Sequence, residues 1–276
     1  MTEIPNITLS DSHTIPQLGF GVFEVPPEQT VDAAVHALRT GYRHIDTAAL
    51  YGNEAEVAEA IKRAGLDRDE VFVTTKVWND DQGRDRTRRA LERSLKQLGF
   101  DHVDLYLIHW PAPSQELYVD TWETLIELRD EGRTRSIGVS NFQIDHLERI
   151  IDATDVVPVL NQVELHPRLQ LPELRSFHEE RGIATEAWSP LGRGQILNDP
   201  VINELAESIG RTPAQVVLRW HVQLGNIVIP RSVTPSRIEE NFQIFDFELD
   251  DDALQAIEQL DEGERIGPDP ATFASA

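Results

Sequence analysis

Four side chains in the first 110 residues could move a proton between them: Asp46, Tyr51, Lys76 and His109. Asp46 ends the run Tyr42-Arg-His-Ile-Asp, and Tyr51 follows five residues later, in a turn that leads through Asn53 to Glu54. A free tyrosine has a pKa of about 10, too high to donate and accept a proton efficiently near neutrality. An adjacent ammonium favours the phenolate and lowers that value, and a carboxylate keeps the ammonium charged and in place. Asp46, Lys76 and Tyr51 form such a relay on paper, and His109 adds a hydrogen bond to an oxygen that develops charge. A general acid with an oxyanion partner, and neither a nucleophile nor a metal, suits protonation of a carbonyl oxygen. The hydride must then come from a cofactor.

Each residue alone has a plainer use. Asp46 could cap the next helix, Tyr51 could pack in its loop, and His109 could be a satisfied core histidine after Leu105-Tyr-Leu-Ile. Lys76, closing Val71-Phe-Val-Thr-Thr, would ordinarily reach for solvent. It is, however, one of only three lysines in a chain with 22 arginines. Arginine is bulkier and does not readily give up its proton, so position 76 calls for an ammonium.

The elements that must position these groups alternate along the chain. Runs of strand character cover Gly19–Phe23, Tyr42–Asp46, Val71–Lys76, Val103–His109, Thr134–Ser140, Val157–Asn161, Ala184–Trp188 and Ile227–Pro230. Between them lie amphipathic stretches: Leu91, Leu95 and Leu98 before Gly99, Leu125 and Leu128 before Gly132, and Thr212-Pro213 opening a run that ends at Gly225. Two short apolar runs around Ser10-Asp-Ser-His predict a small hairpin ahead of the first strand. Eight strand–helix units over 276 residues predict an α/β fold, a (β/α)8 TIM barrel. It would be a single domain over residues 1–276, with a short N-terminal β-hairpin and an irregular C-terminal tail from Gly263. A doubly wound sheet is the alternative, but it wants a G-x-G-x-x-G turn after an early strand, and none stands there. In a barrel the site lies at the C-terminal strand ends. Those ends carry Asp46, Lys76, His109, Ser140-Asn141, Asn161-Gln162, Trp188 and Arg231-Ser232.

Composition limits the partners. The net charge is −23, with 25 basic against 48 acidic residues, which disfavours nucleic acid and anionic membranes. There are no cysteines, so disulfides, zinc thiolates and thiol catalysis fall away together. No apolar run approaches the roughly 18–20 residues of a membrane span, and the first residues lack the pattern of a secretion signal. The expected location is the cytoplasm. A dense, lysine-poor acidic surface suits a high-salt (halophilic) cytoplasm, where the Debye length at about 1 M is only about 3 Å. A GC-rich coding bias toward arginine is the plainer account.

The chain resembles the aldo-keto reductase superfamily, in its prokaryotic 2,5-diketo-D-gluconate reductase-like branch of small-aldehyde reductases. The resemblance is carried by Gly41-Tyr-Arg-His-Ile-Asp-Thr-Ala, Tyr51-Gly-Asn-Glu, Thr75-Lys-Val-Trp, Asp104-Leu-Tyr-Leu-Ile-His-Trp-Pro, Ile137-Gly-Val-Ser-Asn-Phe, Asn161-Gln-Val-Glu-Leu-His-Pro and Ile229-Pro-Arg-Ser. It implies a monomeric barrel that binds NADPH or NADP+ extended across its top. It implies Tyr51 as general acid, tuned by Lys76 and Asp46, with His109 orienting the carbonyl. Ser140, Asn141 and Gln162 would meet the nicotinamide carboxamide, and Trp188 would stack on the ring, where the family usually has tyrosine. Asp46 and the Gly21-Val22 backbone would lie by the nicotinamide ribose, with Ser189, Leu191 and Gly192 along the pyrophosphate. Ser232, Arg237, Glu240 and Asn241 would hold the adenosine end. Many relatives have lysine where this chain has Arg231; arginine pairs bidentately with phosphate and fits an NADPH 2′-phosphate. The substrate mouth would be lined by Phe20, Phe23, Trp78, His109 and Trp110, an aromatic wall suited to a small aldehyde, dicarbonyl or keto-sugar acid. Other readings remain open at this point: a non-catalytic NADP(H)-binding module, a metal-dependent hydrolase on the same barrel, or the reverse alcohol dehydrogenase direction.

If the acidic surface is an adaptation to salt, activity and thermal midpoint should both rise between low and molar KCl. A flat response would leave codon bias as the account.

Overall fold

The computed structural model describes residues 4–274; Met1 to Glu3 of the N-terminus and the last two residues of the tail lie outside the described residues. The hairpin forms from β1 (Asn6–Thr8) and β2 (Thr14–Pro16), antiparallel with Ile7 opposite Ile15. Leu9 and Ile15 from this hairpin join Leu105, Leu107, Val159, Leu160 and Ile227 in a small apolar cluster. The hairpin thus plugs the bottom of the barrel with the same residues that made it legible as two short apolar runs.

Eight parallel strands follow: β3 (Phe20–Gly21), β4 (His44–Asp46), β5 (Phe72–Val77), β6 (Val103–Ile108), β7 (Thr134–Ser140), β8 (Leu160–Glu164), β9 (Ala184–Trp188) and β10 (Ile227–Val228). They lie in sequence order, and the last returns to the first. Gly19 N donates to Val228 O at 2.8 Å and Val228 N to Gln17 O at 3.0 Å, closing the circle. Helices α1 (Pro27–Thr40), α2 (Glu54–Ala64), α3 (Arg84–Leu98), α4 (Tyr118–Asp130), α5 (Ile144–Thr154) and α6 (Pro172–Arg181) each follow a strand, as expected of a (β/α)8 barrel. Beyond them, α7 (Pro200–Ile209) precedes α8 (Pro213–Gln223), α9 (Pro235–Phe242) follows β10, and α10 (Asp251–Glu258) packs on α7.

Side-chain alternation sorts the strands into two faces. Ile45, Val73, Val77, Tyr106, Ile108, Ile137, Val139, Val163 and Ala187 face the helices and build the main core with residues such as Leu91, Leu95, Trp122 and Trp220. The inward face is apolar at the bottom and polar higher up, where His44, Asp46, Lys76, Gln162 and Glu186 are all buried. Such barrels are usually filled by bulky branched residues, so this layer already departs from a purely structural interior.

One expectation is corrected here. The strand read at Val157–Asn161 begins at Leu160 instead. Pro158 has no N–H for a ladder, and pairing with β9 starts at Leu160 opposite Ala184. Asn53 precedes α2, but its side chain does not cap it. Its amide instead holds Val22 O at 3.0 Å and Val25 O at 3.2 Å, and its Oδ1 accepts from Thr47 at 2.8 Å, tying the loops after β3 and β4 together. The helix start at Thr212-Pro213 forms as read, with a reciprocal cap between Thr212 and Gln215.

On the outside, Arg84 and Arg88 of α3 meet Glu123, Glu127 and Glu131 of α4 at 2.6–2.9 Å. These pairs are solvent-exposed and worth about 0–1 kcal/mol each. They organise charge more than they hold the fold. Inside, Gly138 of β7 admits no larger residue: a Cβ there would lie 2.6 Å from Leu160 O and 2.9 Å from Leu107 Cδ2. Gly138→Ala should therefore cost about 1–3 kcal/mol through overpacking. Chemical denaturation checks this, and an unchanged midpoint would mean that β7 and β8 can part without loss.

Candidate active site

Parallel register brings the first two groups together. Asp46 pairs with Thr74 across β4 and β5, and the period of two puts Lys76 on the same inward face one step higher. Lys76 Nζ donates to Asp46 Oδ1 at 2.7 Å and to Thr47 O at 2.9 Å. Lys76 is fully buried and the Asp46 side chain is 3% exposed. Burial alone would lower the Lys76 pKa; Asp46 first, then Tyr51 and Glu186, outweigh it and leave the group above its ordinary value. Lys76 is therefore an ammonium, as its rarity in the sequence suggested.

Tyr51 ends the short 3-10 turn Ala49–Tyr51 beyond β4. Its ring lies with the Lys76 ammonium 5.2 Å from its centroid, and its hydroxyl is 3.4 Å from His109 Nε2. The expectation of a lowered pKa is corrected by the structure. Burial raises the phenol most, and although Lys76 pulls it down by charge and by hydrogen bond, the net value is pushed up to about 12. Tyr51 is held protonated. His109 stands just past β6, pushed well below its ordinary pKa by burial and then by Lys76, and is therefore neutral near pH 7. Its buried Nδ1 has no hydrogen-bond partner among the described residues. A proton on Nε2 leaves Nδ1 an idle acceptor, whereas the other tautomer would leave a buried unpaired donor, which is rarer and costlier. Nε2–H thus points at the space Tyr51 faces.

Asp46 does not cap a helix, for its second oxygen accepts from Gln162 Nε2 at 2.8 Å. Gln162 also donates to Glu186 Oε2 at 2.9 Å. Ser140 Oγ donates to Gln162 O at 2.8 Å. Asn141 adopts φ 63°, a left-handed conformation that asparagine tolerates. Its Nδ2 donates to His109 O at 3.0 Å and to Ser140 Oγ at 3.1 Å, and its Oδ1 accepts from Trp188 Nε1 at 2.8 Å. Asn141 therefore fixes the indole plane and spends both its amide protons within the protein.

These groups sit at one end of an open cleft of about 890 Å³. Gly21, Phe23, Trp78, Trp110, Ser189, Leu191, Ser232, Glu240 and Asn241 line it as well. Its far end reaches the start of α9, where Arg231 and Arg237 stand. Arg231 meets Glu24 across the cleft, Nη1 to the Glu24 carbonyl at 3.3 Å and Nη2 to Oε2 at 3.6 Å. Three residues expected at the site do not line the cleft. Phe20 is 1% exposed and packs edge-on to Tyr42 at 5.9 Å, because strand parity turns it to the helix side. Val22 is wholly buried, its carbonyl held by Asn53. Gly192 is buried, and a Cβ there would meet Ile266, His166 and Ile196 at 3.6–3.8 Å, while Leu191 and Arg193 on either side of it line the cleft.

Reading only strand ends passes over Glu164, Glu186 and the tail. Both glutamates stand two residues from a counted position, Gln162 and Trp188, and so must share their inward face. Glu164 accepts the backbone N–H of Ile266 at 2.5 Å and of Gly267 at 2.8 Å, and bonds His166 Nε2 at 3.1 Å. This docks the tail on the barrel rim and brings Phe273 to 4.5 Å from the Trp110 ring. Phe273 and Pro268 thereby complete the aromatic wall.

The sequence profile of the Aldo/keto reductase family matches residues 17–262. An "Aldo-keto reductase" of Mycobacterium sp. (strain KMS) is 55% identical over 98% of both chains. "Methylglyoxal reductase DkgA" of Escherichia coli (strain K12) is 52% identical over 97% of both. Among solved structures, an aspartate-to-alanine variant of Gox0644 in complex with NADPH is 52% identical, covers 99% of this chain and 100% of its own, and superposes with a TM-score of 0.96.

The buried pair sets a stability test. Lys76→Met leaves Asp46 charged and unpaired and should cost about 3–5 kcal/mol. Adding Asp46→Asn should recover part of that loss. Urea denaturation of the three proteins decides it, and additive losses would mean that the pair is not coupled.

Proposed function

This chain belongs to the aldo/keto reductase family, and from that premise we propose that it reduces a small aldehyde, dicarbonyl or keto-sugar acid with Tyr51 as the general acid. It is an oxidoreductase that uses NADP(H). The observation that carries the finer reading is the Tyr51 hydroxyl 3.4 Å from His109 Nε2 with the Lys76–Asp46 pair directly behind it. A carbonyl oxygen placed between Tyr51 and His109 meets two donors at once.

The cleft suits a dinucleotide. It runs from that donor pair, past the indole of Trp188, to the arginines at α9. Arg231 and Arg237 would hold the 2′-phosphate, and Ser189 and Leu191 would flank the pyrophosphate. Ser140, Asn141 and Gln162 would meet the carboxamide, and Trp188 would form the stacking face. When bound, the reduced nicotinamide supplies the hydride that the carbonyl carbon receives. Tyr51 gives its proton to the carbonyl oxygen. Lys76, charged and bonded to Asp46, then stabilises the phenolate that this leaves. His109, neutral and donating from Nε2, orients the carbonyl without competing as an acid. Phe23, Trp78, Trp110 and Phe273 exclude water from the reacting end and favour a compact substrate. Methylglyoxal fits such a mouth. We take residues 1–276 to act as one monomeric domain, and the acidic surface to suit a saline cytoplasm.

Tyr51→Phe should lower kcat by about 10²–10⁴-fold while leaving NADPH affinity within about twofold. The assay is NADPH oxidation with methylglyoxal and a panel of small carbonyls, with affinity read from tryptophan quenching. An unchanged kcat in the variant removes the proton-donor role. Cofactor binding without turnover of any carbonyl by the unmodified protein would point instead to a binding module.

A further inference from the structure

Glu186 is a fully buried carboxyl group that the mechanism does not use. It lies on β9 opposite Gln162 of β8 in register, with the same inward orientation. Its Oε2 accepts from Gln162 Nε2 at 2.9 Å. Its Oε1 faces His44 Nε2 at 3.8 Å and has no hydrogen-bond partner among the described residues. That contact is not an ion pair, because burial first, and then Lys76, holds His44 down to about 3.

A primary amide has two protons to donate and one oxygen to accept. Both Gln162 protons are spent inside the barrel, one on Asp46 Oδ2 and one on Glu186 Oε2. Turning the amide over would aim its oxygen at two carboxyl oxygens. With Asp46 alone, one proton would be left free, and the amide could present it to the cleft that Gln162 lines. We propose that Glu186 is a positioning residue for cofactor recognition: by taking the second Gln162 proton, it makes position 162 a pure hydrogen-bond acceptor toward the cleft. The ligand group selected is one that carries N–H there, as a nicotinamide carboxamide does. This rests on the reading of the cleft as an NADP(H) site.

Burial, and then the nearby Asp46, push Glu186 up to about 8, so near neutrality its proton sits on Oε1 and Oε2 stays an acceptor. A neutral carboxyl keeps the geometry without adding a second negative charge beside Asp46. An amide of the same length can do the same, whereas a shorter acid cannot reach.

The test compares dissociation constants for NADP+ and for its 3-acetylpyridine analogue, in which a methyl ketone replaces the carboxamide and removes the N–H. The unmodified protein should prefer NADP+. E186A and E186D should lose about tenfold in NADP+ affinity, hold the analogue as before, and so lose discrimination. E186Q should keep discrimination within about twofold. Circular dichroism identifies the variants that are folded. Equal binding of both nucleotides by the unmodified protein, unchanged discrimination in a folded E186A or E186D, or its loss in E186Q would each overturn the proposal. Should neither short variant fold, E186Q still decides: kept discrimination supports the acceptor role and lost discrimination ends it. Binding of neither nucleotide by the unmodified protein would instead sink the functional reading itself.

Discussion

The charged bond between Lys76 and Asp46 is the constraint to which the other parts of the site answer. Two charges removed from water cost several kcal/mol each unless every remaining donor and acceptor is satisfied. Lys76 has Asp46 and Thr47 O, with the Tyr51 ring beside it; Asp46 has Lys76 and Gln162. Each of these partners is held in turn, Gln162 by Glu186 and Tyr51 against His109. The pair also needs two strands in one register, since a slip by one residue between β4 and β5 would turn a charge toward the helices. A polar chain thus runs through the middle of a barrel whose lower layer and outer face are apolar.

Burial in this site favours the neutral form of each titratable group. Tyr51 and Glu186 lie above their ordinary values, while His109 and His44 lie below theirs, each chiefly because burial disfavours the charged form. Near neutrality these four groups are therefore neutral around the charged Lys76–Asp46 pair. A protonated phenol and a neutral imidazole are the forms required to donate two hydrogen bonds to a carbonyl oxygen. The ammonium acts by limiting how far burial raises the phenol and by favouring the phenolate once the proton has gone.

Recognition and chemistry are divided between rigid and peripheral elements. Asp46, Tyr51, Lys76 and His109 stand on or just beyond strands, whereas the walls come from loops and the tail, which Glu164 ties to the rim. Arg231 and Glu24 meet across the cleft with side chains 45% and 49% exposed. A pair so accessible to solvent is weak, which leaves the guanidinium available for the phosphate contact proposed for it.

The alternation of strands and helices, the hairpin and the helix stop at Gly99 were readable because each rests on local pattern: period two, period 3.6, and a backbone turn that favours glycine. The clustering of Asp46, Tyr51, Lys76 and His109 was readable too, since an acid, a tyrosine, a lysine among arginines and a histidine fell at or near strand ends whose common rim the barrel topology supplies. Pairing across strands decided the rest. It moved β8 past Pro158 and turned Phe20 into the core. It set Glu186 against Gln162 across 24 residues of sequence and Glu164 against Gly267 across 103. It also reversed the sign of the Tyr51 shift, because a sequence names the ammonium but not the burial that outweighs it. Residue type and spacing determine which groups can react; only packing determines how much water surrounds them, and that sets their protonation.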